Sequence, residues 1–86
     1  MGGKRLDPAV AFGVVLRKLR KASGLTQEQV GLEAELRRTY VSILELGQQQ
    51  PTLTTILKLS GALGRSGAEM VRLVEAELAK NRRRTS

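Results

Sequence analysis

Residues 26–47, TQEQVGLEAELRRTYVSILELG, decide the fold, because they read as two short helices joined by a tight turn. The Thr26 hydroxyl can cap the first helix, and Gln29 three residues later can return the bond with its side-chain amide, so the segment opens with a capping box. Val30, Ala34, Leu36, Val41 and Leu44 then supply apolar contacts that hold the two helices at a fixed angle. A helix held that way presents its other face outward. Arg37, Arg38, Thr39, Ser42 and Ile43 lie on that face. Two cations and two hydroxyls suit phosphate and base-edge contacts, and the isoleucine can meet a thymine methyl.

Working outward, the preceding segment predicts a helix over 8–22, with Asp7 as its cap, Pro8 at its first position and Phe12, Leu16 and Leu19 as its buried stripe. The two helices of the opening stretch span about 27–34 and 38–46. After a polar loop, Gly47 to Pro51, Thr52 caps a fourth helix running to about 63, with Leu53, Ile56, Leu57 and Leu63 inward. Ser66 and Glu69 read as a second capping box that opens a fifth helix over about 68–81, whose Met70 or Val71, Val74 and Leu78 recur at helical spacing. Gly24, Gly47 and Gly64 each follow a helical pattern, where a left-handed residue ends a helix. Residues 1–7 read as a flexible tail, 8–65 as the main domain, and 66–86 as a C-terminal helix with a frayed basic end.

The same stretch, with its flanks, resembles the Cro/CI-type, or Xre-like, helix-turn-helix regulators over about residues 10–64. The resemblance rests on Arg20 in the first helix, the turn Gly24-Leu25-Thr26-Gln27, the closing Glu45-Leu46-Gly47, and the later Pro51-Thr52-Leu53 and Ala62-Leu63-Gly64. Arg38 to Ser42 looks most like the recognition helices of restriction-modification controller proteins and small phage-type repressors. Two positions depart from the family. Glu35 stands where the turn usually has glycine, so a non-glycine residue near positive φ carries strain there. Gly31 replaces the usual small alanine of the second helix, which keeps a close helix approach at about 1 kcal/mol of helix propensity.

What the resemblance implies is an all-α, five-helix, lambda-repressor-like domain that binds double-stranded DNA and regulates transcription at an inverted-repeat operator. Arg38, Thr39, Ser42 and Ile43 are then the base contacts, with Arg38 first because its planar fork matches the O6 and N7 acceptors of guanine. Arg37 and Tyr40 become phosphate contacts by analogy. Gln27, at the start of the second helix, offers a phosphate both its side chain and its backbone N–H, and Gln48 joins them by proximity. Arg20 and Glu45 are expected as a structural ion pair beneath the DNA-facing surface. Family proteins often dimerise through their last helix, which makes Met70, Val74 and Leu78 the expected homodimer contact, with docking on the core as the alternative.

Composition narrows the competing classes. The chain has 86 residues, room for one compact core, and its formal charge of +7 favours a polyanionic partner. It contains no cysteine and no histidine, which removes thiolate nucleophiles, histidine bases and the common zinc sites. Asp7 is committed to a helix cap, no glutamates pair at a catalytic spacing, and no phosphate-cradling glycine loop is present, so no enzyme, metal, cofactor or small-molecule ligand is expected. No apolar run reaches the ~20 residues of a membrane span, which makes the cytoplasm the expected location. The rival readings are an antitoxin whose fifth helix engages a toxin, and a bridging module that keeps the fold without reading bases. A membrane-surface role for the first helix is weakened by the absence of tryptophan and a single phenylalanine.

Overall fold

The computed structural model describes the backbone of residues 7–85 and the side chains of 7–80; the N-terminal segment read as a tail otherwise lies outside the described residues. Among them are five helices and no strand: α1 Pro8–Ala22, α2 Gln27–Ala34, α3 Arg38–Glu45, α4 Leu53–Ala62 and α5 Gly67–Thr85. The starts of α1, α4 and α5 have a local cause. The Asp7 carboxylate accepts from the Ala9 N–H at 2.8 Å, and the Thr52 and Ser66 hydroxyls accept from Thr55 and Glu69 N–H at 3.1 and 3.0 Å. The second capping box is only half made, because Glu69 turns its carboxylate to Arg65 at 2.8 Å. Gly24, Gly47 and Gly64 end α1, α3 and α4 at φ near +70°.

α1 packs against α3 and α5, α2 against α3 and α4, and α4 against α5. Phe12, Leu16 and Leu19 face inward as expected, joined by Val15, Val30, Val41, Leu44, Leu59 and Met70. Burying side chains of this size gives about 1.5–3 kcal/mol each before the entropy of ordering them is subtracted. The inward face of α4 differs from expectation. Leu53 and Leu57 are 71% and 54% exposed, while Thr55, Leu59, Ser60 and Leu63 are buried. Two polar residues can occupy that face because their hydroxyls are satisfied locally, Thr55 with Thr52 Oγ1 and Ser60 with the Leu57 carbonyl, both at 3.0 Å.

α5 also corrects the sequence reading. It continues as helix to Thr85, so the segment expected to fray extends the element instead. Met70, assigned to a dimer contact, is fully buried in the core and is not available to a second subunit, whereas Val74 and Leu78 are half-buried. Met70, one turn after the Ser66 cap, serves to close the core where α5 packs on α1 and α4.

Glu35 has φ 60° and ψ 43°, the left-handed conformation that the departure from glycine implied. Its side chain is exposed and its N–H reaches the Leu32 carbonyl at 3.3 Å. Glu35→Gly is therefore expected to raise the unfolding free energy by about 1 kcal/mol, read as a higher urea midpoint, as relief of strain exceeds the added chain entropy. A lower midpoint would contradict this account of the turn.

Candidate nucleic-acid interface

The Thr26 capping box is complete: Gln29 N–H donates to Thr26 Oγ1 at 3.0 Å and Thr26 N–H donates to Gln29 Oε1 at 2.8 Å. At the other end of α2 the chain reverses through Glu35, and the Leu36 N–H bonds back to the Gly31 carbonyl at 2.8 Å. A Cβ at Gly31 would lie 2.6 Å from the Leu36 carbonyl oxygen, so glycine is what lets α3 begin so close to α2. Val41 and Leu44 then anchor α3 in the core with no exposed area, and Tyr40 packs against the same cluster.

Anchoring one face fixes what the other presents. Arg38 and Thr39 are exposed at the start of α3, Ser42 and Ile43 are half-exposed one turn on, and Arg37 stands exposed at the N-cap without a capping hydrogen bond. Among the described residues neither Arg37 nor Arg38 is in an ion pair. Both guanidiniums keep their donors for an outside acceptor. Gln48 is exposed in the loop that leaves α3, its N–H tied to the Ile43 carbonyl at 3.1 Å. Thus the expected base-reading residues share one outward face, with Arg37 and Gln48 at its two ends.

Beneath that face, Arg20 of α1 and Glu45 of α3 form the expected ion pair. Nε donates to Oε2 at 2.5 Å and Nη2 to Oε1 at 3.1 Å, with the two side chains 12% and 4% exposed. Arg20 also donates from Nη1 to the Leu25 carbonyl at 2.9 Å, which fastens the α1–α2 turn. The Glu45 hydrogen bond holds the Arg20 guanidinium above its ordinary pKa, against the opposing effect of burial. A raised folded-state pKa stabilises the fold at every pH below the unfolded value, so this contribution is lost only in strong alkali.

Gln27 is placed differently from expectation. Its side-chain Nε2 donates to Glu45 Oε1 at 3.1 Å, so one N–H of the half-exposed amide is engaged within the protein. The backbone N–H groups of Gln27 and Glu28 are still turned out of the first turn of α2, as helix geometry requires. A second feature with no sequence signal is Gly13, where a Cβ would lie 2.5 Å from the Leu44 carbonyl oxygen and 2.6 Å from that of Glu45. A glycine inside a helical pattern invites the question of close packing, yet nothing in the chain says which element approaches it.

The profile of the HTH_3 helix-turn-helix family matches residues 16–70, from the middle of α1 to the start of α5. The chain belongs to this family. Within it, the chain is 36% identical over 72 residues to the control protein C.MunI of a Mycoplasma species, covering 83% of this chain and 97% of that one. It is 38% identical over 66 residues to the uncharacterized HTH-type transcriptional regulator y4dJ of Sinorhizobium fredii, covering 77% of this chain and 86% of that one. The crystal structure of the restriction-modification controller protein C.AhdI from Aeromonas hydrophila superposes with a TM-score of 0.70 at 44% identity, over 72% of this chain and 94% of that one. The HTH_3 family is Xre-like, and the fold of this chain is shared with C.AhdI. No helix among the described residues is long and apolar enough to cross a membrane.

Proposed function

We propose that this HTH_3 protein is a DNA-binding transcriptional regulator, acting in the cytoplasm without a catalytic step, whose α3 enters the major groove of an inverted-repeat operator. The observation that carries the reading is the pairing of a fully anchored inner face, Val41 and Leu44, with an outer face of Arg38, Thr39, Ser42 and Ile43. Arg38 reads a guanine through its two-pronged donor set, Thr39 and Ser42 meet neighbouring base edges, and Ile43 packs on a methyl group. Arg37, Tyr40, Gln48 and the N–H groups at the start of α2 hold the flanking phosphates.

One such helix reads few base pairs, so the operator is bound by a homodimer with recognition helices about 34 Å apart. The subunits meet on α4 and the start of α5. Leu53 and Leu57 lie one turn apart and exposed on α4, Leu57 lies over Gly67, and Val71 follows one turn later at 42% exposure. This apolar face takes the place of the Met70 stripe. Val74 and Leu78, half-buried on α5, extend it at most along its edge.

Two measurements test the reading. On a duplex enriched from random sequence, Arg38→Ala is expected to lose about 1–3 kcal/mol of discrimination at one guanine per half-site, while Tyr40→Phe weakens all sequences alike. Equal loss for Arg38→Ala on enriched and scrambled DNA would contradict the assignment. Leu57→Glu places a charge in the proposed subunit contact and should sediment as a folded monomer with weak half-site binding. A variant that remains dimeric would place the contact elsewhere.

A further inference from the structure

Gln27 and Glu45 stand at opposite ends of the helix pair, and that position gives their hydrogen bond its consequence. The C-terminus of α2 is tied to the N-terminus of α3 by the turn through Glu35 and the Leu36 N–H bond to Gly31. The N-terminus of α2 is tied to the last residue of α3 by the Gln27 Nε2 bond to Glu45 Oε1 at 3.1 Å. Val30, Ala34, Val41 and Leu44 pack the two helices together between these ends, and a polar tie at the far ends trims the angle that packing allows. We infer that Gln27 is a positioning residue, which refines the set of the packed α3 through Glu45 and so aims Arg38 at its base.

The chemistry of the bridge supports that role. Glu45 Oε1 also accepts from Arg20 Nη2 at 3.1 Å, and the carboxylate is 4% exposed, so water has little access to replace a lost donor. A neutral amide adds a directed N–H beside Arg20 without a second positive charge, which a lysine at this position would bring. Gln27 and Arg38 line the same open depression between the start of α2 and the start of α3. A shift of α2 relative to α3 therefore moves the wall against which Arg38 stands. Because a hydrogen bond to a charged group is stronger than one between neutral groups, its loss is expected to loosen this angle measurably.

The inference rests on the reading of α3 as the base-reading helix, and the experiment separates the two. Affinity is measured for the enriched duplex and for a scrambled duplex of equal length, at a temperature where circular dichroism shows every variant folded. Gln27→Ala, and Gln27→Asn with a side chain one methylene shorter, should each narrow the ratio of the two affinities about tenfold while scrambled-duplex affinity stays within about twofold. Gln27→Glu sets two carboxylates against each other and should narrow it further, and adding Glu45→Gln restores a donor and an acceptor with their places exchanged and should recover much of the ratio. Equal weakening on both duplexes, with no recovery in the exchanged pair, would show the side chain on a phosphate and overturn the positioning role. A wild-type protein that binds both duplexes alike would instead overturn the regulator reading.

Discussion

Glu45→Ala is expected to lower the unfolding free energy by about 3–5 kcal/mol, because it leaves the Arg20 guanidinium, 12% exposed, without its partner. That is a large part of the ~5–15 kcal/mol that holds a domain of this kind together. The loss has three components in the structure: the paired Nε and Nη2 contacts to the carboxylate, and the Gln27 amide that shares Oε1. With Arg20→Ala the carboxylate is the orphan, and the cost is similar. The double replacement removes both charges at once and should cost clearly less than the sum of the single changes. Urea denaturation of the four proteins checks this, and a Glu45→Ala loss under about 1 kcal/mol would show that the pair behaves as a surface contact.

Gly13→Ala is the other large effect, for a steric reason. The added methyl would stand 2.5 and 2.6 Å from the carbonyl oxygens of Leu44 and Glu45, atoms of the α3 backbone that cannot turn aside like a side chain. α1 and α3 must separate, with an expected cost of about 2–3 kcal/mol even though alanine favours the helix by about 1 kcal/mol over glycine. Separation also draws Glu45 away from Arg20, so specific DNA binding should fall by more than the stability loss alone explains. Thermal unfolding and duplex titration on the same preparation measure both. Unchanged stability would mean that the two helices approach less closely than described.

Much of the fold was legible because the relevant signals are local. Asp7, Thr26, Thr52 and Ser66 each accept the backbone bond that their place before a helical pattern implied, and α1 and α2 begin and end where the periodicity put them. Glu35 illustrates a finer case, since the family's glycine position located a left-handed residue that its own identity hides. The misreadings lie where a decision depends on which side of a helix faces the core. Leu53 and Leu57 carry apolar letters on the solvent side of α4, while Thr55 and Ser60 are buried with hydroxyls satisfied one turn away. Met70 belongs to the same class: its spacing with Val74 and Leu78 is helical, but spacing does not distinguish a core from a subunit contact.

The candidate site divides along the same line. Arg38, Thr39, Ser42 and Ile43 could be placed on one face because an eight-residue helix with two buried anchors has little freedom in what it exposes. The Arg20–Glu45 pair came from resemblance, and its two hydrogen bonds now give that expectation a geometry. Gln27 could not be assigned from sequence, because a side chain at a helix start reaches equally outward to a ligand or back to a neighbour, and its partner is 18 residues away.

Selection of bound duplexes from a fully randomised pool, with the wild-type protein in parallel with Arg38→Ala, tests the central claim most directly. The wild-type protein is expected to enrich a two-fold-symmetric sequence whose half-sites are centred about one helical turn, ~34 Å, apart. Each half-site should carry a guanine that Arg38→Ala no longer enriches. A wild-type protein that recovers no common sequence, or one whose recovered sequence is untouched by Arg38→Ala, would contradict it.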